Sequence, residues 1–155
     1  MALELEDLGV KGYEKVIKVT DENVGLYAII AIHDTTLGPA LGGTRIFPYA
    51  NEENALYDVL RLSKGMTHKS AIARSGFGGG KSVIMADART EKTPELLKAF
   101  GRAVNALEGQ YICAEDVGCT TADVDIIREE TPYVVGLDFP GGSGNSFCND
   151  LSIID

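Results

Sequence analysis

Two lysines and one aspartate, Lys69, Lys81 and Asp116, are the residues of this sequence best suited to chemistry. Two ammonium groups can hold a carboxylate and polarise a neighbouring carbonyl, while an aspartate carries protons. Two lysines about 6 Å apart repel by roughly 2.8 kcal/mol at an effective dielectric constant of about 20, which lowers the pKa of one of them. That lysine becomes a candidate acid or base near neutral to mildly alkaline pH. Spacing alone equally allows three unrelated surface charges.

A glycine-rich stretch leads into Lys81, within the segment KGMTHKSAIARSGFGGGKS at residues 64–82. The glycines at 78–80 predict a turn between the two lysines, in which a backbone without Cβ atoms passes close to a ligand. The nucleotide-phosphate loop pattern fails, since Ser75 stands where its first glycine is required. The dinucleotide pattern GxGxxG also fails, because Lys81 takes the place of its last glycine.

Composition narrows the class of protein. A chain of 155 residues is long enough for one domain with a real core. Its formal net charge of -9 argues against nucleic-acid partners and against an anionic membrane surface. The longest apolar run, residues 26–32, is far shorter than the about 20 residues that a membrane helix needs. The acidic N-terminus lacks the basic region of a secretory signal, so we predict a cytoplasmic protein.

Three cysteines, Cys113, Cys119 and Cys148, form no CxxC pair, and the sequence contains only two histidines. Zinc sites in proteins require closely spaced soft ligands. The sequence therefore predicts no metal site and favours buried or chemically indifferent thiols.

Helix and strand patterns alternate along the chain and predict an α/β fold, a three-layer α/β/α sandwich with a mostly parallel, mixed sheet. Predicted helices cover residues 2–8, 51–66, 93–107 and 120–130, and predicted strands cover 16–19, 26–32, 44–47, 82–86, 111–114 and 133–136. The nearly all-apolar strand at 26–32 indicates a central position. Asp116 follows the strand at 111–114, at the edge where open α/β sheets place ligand chemistry.

The loop predicted at residues 33–43 ends in a glycine pair, Gly42 and Gly43. Such a pair can present bare backbone N–H groups to an anion or a carbonyl oxygen. A tight entry into the following strand explains the same two glycines equally well.

Five motifs occur in order: GPALGGTR at 38–45, KGMTHK at 64–69, GFGGGK at 76–81, AEDVG at 114–118 and SGN at 143–145. Together they resemble the amino-acid (Glu/Leu/Phe/Val) dehydrogenase family, and its leucine dehydrogenase members most. The resemblance implies that residues 1–145 form the family's N-terminal, substrate-binding and dimerisation domain. It also implies a homo-oligomer, because the family assembles through this domain.

The resemblance implies a reaction and two catalytic residues. Lys81 would activate water and stabilise the carbonyl or carbinolamine oxygen, and Asp116 would shuttle protons to and from the substrate nitrogen. The reaction is the reversible oxidative deamination of an L-amino acid to a 2-oxo acid and ammonia, with hydride passing to NAD.

The resemblance also implies six substrate-binding residues: Lys69, Met66, Gly42 and Gly43 around the α-carboxylate, and Leu41 and Ala114 around the side chain. Related glutamate dehydrogenases have a lysine at the position of Leu41, where it binds a second carboxylate. An apolar residue there would leave that carboxylate desolvated and unpaired. Ala114 is similar to the branched-chain version, since phenylalanine dehydrogenases tend to have a smaller residue there. Leucine, valine or isoleucine is the predicted substrate.

The resemblance ends near Asn145. The family's NAD-binding domain has no counterpart in this sequence, so the fragment is expected to be inactive alone. Residues 146–155, SFCNDLSIID, replace the family's Pro-Ser and Val/Thr-rich continuation, and we predict that a shifted reading frame produced an aberrant, truncated tail. The coding DNA tests this.

Two other classes of protein stay open: a stand-alone module that binds branched-chain amino or 2-oxo acids, and a phosphate-binding protein that uses the glycine turn.

Overall fold

The computed structural model describes residues 3–136. These form a six-stranded sheet in the order β1-β2-β3-β5-β4-β6, covered by helices on both faces. The strands are β1 (Glu4–Asp7), β2 (Lys15–Asp21), β3 (Leu26–Asp34), β4 (Ala40–Phe47), β5 (Gly78–Met85) and β6 (Tyr111–Ala114). The helices are α1 (Glu52–Ala73), α2 (Pro94–Ala106) and α3 (Thr121–Arg128).

The sheet is mixed, as predicted. β4 runs parallel to both β5 and β6, whereas β1-β2, β2-β3 and β3-β5 are antiparallel. Among the described strands, antiparallel pairings therefore outnumber parallel ones. The apolar strand β3 lies inside the sheet between β2 and β5, which confirms its predicted central position.

Two apolar clusters fill the space on either side of the sheet and confirm the three layers. Ala55 and Val59 of α1 pack on Ile29 and Val83 in the smaller cluster. Side chains from α2 and α3 pack on the opposite face in the larger cluster, around the fully buried Phe100. Successive strand residues point to opposite faces, so β5 sends Val83 towards α1 and its neighbours towards α2.

Two helices begin where their capping residues predict. Thr93 caps α2 with its side chain on the N–H of Leu96, and Pro94 occupies the first turn. Thr120 and Asp123 form a reciprocal capping box at the start of α3, which ends at Arg128, earlier than predicted. Both capping signals depend on residues that are close together in the sequence, and both caps are formed in the structure.

Helix α1 begins as predicted after Asn51 but does not end at Met66; it continues to Ala73. Gly65, in its middle, lowers helix stability by only about 1 kcal/mol relative to alanine. Packing of the helix on β3 and β5 outweighs that cost. Lys69 therefore lies on a helix and does not flank a turn.

Several predictions of secondary structure were wrong. The segment predicted as an N-terminal helix is the edge strand β1, because pairing with β2 overrides the helix propensity of its Glu and Leu residues. The glycines at 78–80 are the start of β5, and Gly42 and Gly43 lie inside β4. The strand predicted at 133–136 is reduced to one bridge, Cys113 to Val134. The SGN motif, Cys148 and the tail at 146–155 lie outside the described residues.

None of the helices in the described part combines the length and apolar character needed to cross a bilayer.

Candidate active site

The site lies on the face of the sheet that α1 covers, and an ion pair forms its centre. Lys81 shares this face with Val83, because both are odd-numbered residues of β5. Asp116 reaches it from the turn that follows β6. The structure brings the two together, with Lys81 Nζ 2.6 Å from Asp116 Oδ2. The Lys81 side chain is only 9% exposed and that of Asp116 is 19% exposed, so the pair is shielded from water on most sides.

Burial lowers the pKa of the Lys81 ammonium, because a charge loses hydration in the interior. The carboxylate of Asp116 acts in the opposite direction, and the positive charges of Arg45 and Lys69 lower the pKa further. Burial and the two cations outweigh Asp116, and the pKa lies below the ordinary lysine value. Lys81 can therefore release its proton more readily than a surface lysine.

Burial alone would raise the pKa of the Asp116 carboxyl. The charge and hydrogen-bonding capacity of Lys81 overcome that effect, with help from the backbone N–H of Val117 and from Arg45. The pKa of Asp116 is therefore below its usual value, and the carboxylate stays ionised at neutral pH.

Lys69 and Met66 lie on α1, where a spacing of three residues puts them on one side of the helix. The charge of Lys69 acts on Lys81, which places the two lysines within electrostatic reach of each other. Both α1 side chains are partly exposed. The two lysines and the aspartate thus occupy one region.

The two residues predicted to contact the substrate side chain are more buried than Lys69 and Met66. Leu41 is 1% exposed, and Ala114 is 8% exposed. Leu41 directly precedes the glycine pair on β4, and Ala114 lies two residues before Asp116. The two strands are paired here, Leu41 with Ile112 and Gly43 with Ala114. The two apolar residues thus lie on neighbouring strands next to the acidic turn.

Gly43 is required for the close approach of the acidic turn. A Cβ atom added to it would lie 2.5 Å from the carbonyl oxygen of Glu115 and 2.9 Å from Cβ of Asp116. Any side chain at this position would displace the acidic turn that carries Asp116. The sequence predicted a role for the exposed backbone of this glycine; the structure adds a steric one.

Gly42 lies between two pairings of β4 with β5, Leu41 with Gly79 and Thr44 with Ser82, which keep the same register. The hydroxyl of Tyr111 donates to the carbonyl oxygen of Gly42 at 2.7 Å. A fully buried side chain thus satisfies a strand carbonyl.

Tyr111 belongs to a chain of buried hydroxyls. Its oxygen is 2.8 Å from Ser82 Oγ, which donates to Thr44 Oγ1 at 2.9 Å. These residues lie on the α2 face, directly behind Lys81 and Gly43. From the sequence, Tyr111 is an ordinary residue of a predicted strand, because nothing in a single tyrosine signals a buried hydrogen bond to a residue 69 positions away.

Replacement of Tyr111 with phenylalanine should lower the free energy of unfolding by about 1–3 kcal/mol, because the carbonyl of Gly42 would be left buried without its donor. Urea denaturation followed by circular dichroism measures this. Tyr133→Phe is the matched control, since Tyr133 is only partly buried, and it should unfold near the wild-type urea concentration. Equal midpoints for both variants would contradict the assigned hydrogen bond.

The turn that carries Asp116 is held at both ends. Asp116 and Cys119 exchange two backbone hydrogen bonds, and Gly118 adopts a positive φ of 77°. Lys92 lies beside this turn and contacts the carbonyl oxygen of Gly118 at 3.1 Å and Asp123 Oδ2 at 2.6 Å. The turn is therefore tied to the start of α3. The sequence offered no signal for Lys92.

Cys113 and Cys119 are both buried, as favoured from the sequence, and burial raises the pKa of the Cys119 thiol. Within residues 3–136, no three His, Cys, Asp or Glu side chains are grouped as metal ligands would be.

The sequence and the fold match a known family. The family model of the Glu/Leu/Phe/Val dehydrogenase dimerisation domain matches residues 13–133. The chain belongs to this family of amino-acid dehydrogenase domains.

Individual relatives agree with that assignment. The leucine dehydrogenase of Bacillus subtilis (strain 168) is 57% identical over 134 residues, which are 86% of this chain and 37% of the relative. The phenylalanine dehydrogenase of Caldalkalibacillus thermarum (strain TA2.A1) is 52% identical over 138 residues, 88% of this chain and 37% of the relative. The crystal structure of L-tryptophan dehydrogenase from Nostoc punctiforme superposes with a TM-score of 0.77 and 55% identity, over 80% of this chain and 37% of that one. The chain thus spans little more than a third of the length of these relatives.

Proposed function

We propose that this chain is the substrate-binding and oligomerisation domain of an NAD-dependent L-amino-acid dehydrogenase that acts on leucine, valine or isoleucine. We place this domain at residues 1–145. The observation that carries the proposal is the shielded Lys81–Asp116 pair, 2.6 Å apart on the face of the sheet where α1 brings in Lys69.

Substrate binding follows from charge. The ammonium of Lys69 attracts the α-carboxylate of the amino acid, and the backbone at Gly42 and Gly43 with the side chain of Met66 completes the position for it. A carboxylate held by one fixed cation leaves the α-nitrogen and Cα free to face Lys81 and Asp116. This arrangement uses Lys69 for binding and keeps the other two groups for proton transfer.

Proton transfer follows from the two pKa values. Because the pKa of Lys81 is lowered, its amine can take a proton from water that attacks the oxidised substrate, and its ammonium can stabilise the carbinolamine oxygen. Asp116 stays ionised beside it and exchanges protons with the substrate nitrogen. The two groups differ in charge and in readiness to accept a proton, which allows both steps in one site.

NAD supplies the hydride acceptor in this reaction. The residues described by the structure do not fit a dinucleotide site, because none of the connections from a strand to a helix between residues 3 and 136 carries the GxGxxG turn that cradles a pyrophosphate. We assign no residue of this domain to the nucleotide. In the proposed enzyme, residues 3–136 therefore hold the substrate, and the nucleotide is held outside them.

The substrate side chain meets apolar surface. Leu41 and Ala114 lie next to the acidic turn, and neither can pair with a second carboxylate. This favours an apolar amino acid over glutamate. The names of the relatives include leucine, phenylalanine and tryptophan dehydrogenases; the choice of branched-chain substrate rests on Leu41 and Ala114.

A chimera tests activity and preference together. Residues 1–136 of this chain are joined to the part of the Bacillus subtilis leucine dehydrogenase that follows the matched segment. We expect NADH formation from leucine, valine or isoleucine at alkaline pH, with kcat/KM at least about tenfold above that for phenylalanine, tryptophan or glutamate, since a few contacts in an apolar pocket are worth about 1–3 kcal/mol. Equal or greater activity with phenylalanine or tryptophan would contradict the branched-chain assignment.

The competing function is a binding module without catalysis, which the same charged site supports. Calorimetry of the 155-residue chain with leucine and with 2-oxoisocaproate separates the two. A module should bind one of them in the micromolar range without NAD, whereas a dehydrogenase domain should bind neither tightly.

Light scattering tests the proposed homo-oligomer, and a strictly monomeric species at high concentration would count against it.

A further inference from the structure

Arg45 of β4 lies between two carboxylates on the α1 face of the sheet. Its Nη1 is 3.2 Å from Oδ2 of Asp58 on α1, and its Nε is 3.5 Å from Oδ2 of Asp116. The Arg45 side chain is 23% exposed, and those of the two aspartates are 17% and 19% exposed. A single arginine thus spans the gap between the helix and the acidic turn.

Asp58, the far end of this bridge, is itself fixed. The hydroxyl of Tyr49 donates to Oδ2 of Asp58 at 2.5 Å, and Nη2 of Arg61 contacts Oδ1 at 2.7 Å. Burial and the neighbouring carboxylate raise the pKa of Tyr49, which therefore stays a neutral donor. Asp58 thus holds one end of Arg45 to α1.

The charges alternate along this row: Arg61, Asp58, Arg45, Asp116 and Lys81. Each carboxylate lies between two cations. Within the described residues, Arg45 Nε is buried and has no partner aligned as a hydrogen bond. Charge, and not a directed hydrogen bond, therefore holds Arg45 to Asp116.

We propose that Arg45 is a positioning residue, which fixes the Asp116 carboxylate against Lys81 by tying it, through Asp58, to helix α1. The inference rests on the proposed function, in which Asp116 and Lys81 exchange protons with the substrate. Arginine suits the role because its planar guanidinium keeps its charge at all relevant pH values and can contact two carboxylates at once.

The positive charge of Arg45 affects the pKa values of both Lys81 and Asp116. The charged groups that face Lys81 are Asp116 from the turn after β6, Arg45 from β4 and Lys69 from α1. Arg45 lowers the pKa of both Lys81 and Asp116. If its charge is removed, protonated Lys81 loses a repulsive neighbour and ionised Asp116 loses an attractive one. The pKa values of both groups then rise.

Nuclear magnetic resonance of the 155-residue chain tests this without any activity. The Lys81 ¹³Cε and Asp116 ¹³Cγ signals are followed against pH in the wild type and in Arg45→Met, which keeps most of the apolar stem. We expect both midpoints to move to higher pH in Arg45→Met and to stay close to the wild-type values in Arg45→Lys. Arg102→Met is the control, because Arg102 pairs with Glu130 away from the site, and it should leave both midpoints unchanged.

A folding defect would be seen in the amide spectrum. In that case Asp58→Asn replaces Arg45→Met, since it keeps Arg45 but removes its anchor on α1, and the Asp116 midpoint should again move. Midpoints in the folded Arg45 or Asp58 variant that coincide with the wild type would overturn the proposal.

The chimera adds a kinetic readout. Arg45→Met should lower kcat by about 10- to 100-fold, as expected when a reacting group is misplaced. The acid limb of its pH profile should move to higher pH, while KM changes little. A chimera that shows no activity with any amino acid would refute the proposed function but leave the titration result standing. An active chimera whose pH profile is unchanged in Arg45→Met would refute the role of Arg45 alone.

Discussion

Replacement of Lys81 with methionine should reduce kcat of the chimera for leucine deamination by about 10³-fold or more, within the range expected for the loss of a general acid or base. The methionine keeps most of the side-chain volume but cannot take a proton from water or stabilise the carbinolamine oxygen. Lys81 is the amine of the site whose pKa is lowered by burial. Steady-state kinetics across pH measures the loss.

Lys69→Met is the paired experiment. This lysine is assigned to the α-carboxylate, so its loss should chiefly raise KM and leave kcat less affected. Lys98→Met serves as the control, because Lys98 is an exposed lysine paired with Glu129 at 3.3 Å on another part of the surface. Equal and small effects at both site lysines would contradict the roles assigned to them.

Replacement of Gly42 with alanine should destabilise the domain by about 3 kcal/mol, the upper part of the range for overpacking a core. The added Cβ would meet the carbonyl oxygen of Gly80 far inside contact distance. Both atoms belong to the backbone of paired strands, so neither can move aside as a side chain would. The same displacement would disturb the hydrogen bond from Tyr111 to Gly42.

Gly65→Ala is the matched control, with the opposite sign. Gly65 lies inside α1, and nothing lies within 4 Å of its added Cβ. Alanine there should raise the free energy of unfolding by about 0.5–1 kcal/mol, because glycine has the larger conformational entropy in the unfolded chain. Urea unfolding of the two variants beside the wild type measures both changes. An unfolding midpoint for Gly42→Ala at or above that of the wild type would refute the steric account.

Much of the fold could be predicted because its signals are local. The cap at Thr93 followed by Pro94 and the capping box at Thr120 each lie within four residues of the helix start they specify. The apolar run of β3 indicated an interior strand for the same reason, since burial on both faces leaves no polar alternation. The layers followed from the order of these elements.

The glycines show where local signals fail. Three glycines in a row are typical of a turn, yet Gly79 and Gly80 belong to β5 because their bare Cα atoms let Thr67 of α1 and Tyr111 of β6 come close. A glycine chosen for close packing and a glycine chosen for a turn look the same in sequence. The distinction depends on a partner that lies far away in the chain. The predicted end of α1 failed in a similar way, because packing on the sheet carries the helix past Gly65.

The candidate site likewise contains residues that the sequence predicted and contacts that depend on the fold. The motifs alone identified Lys69, Lys81 and Asp116 as chemical groups and predicted an amino-acid substrate. The sequence had no means of showing that Arg45 bridges Asp116 to Asp58, since that depends on which face of β4 each residue occupies.

By itself, the sequence determined the family of this protein, the residue types available for chemistry and the starts of its helices. Only the tertiary structure decided that Lys81 and Asp116 meet at 2.6 Å, that burial lowers the lysine pKa, and that a buried tyrosine supports the glycine pair. The physical reason is that residue type and helix capping are local properties of the chain. Distance, desolvation and charge coupling exist only after strands remote in sequence have been placed side by side.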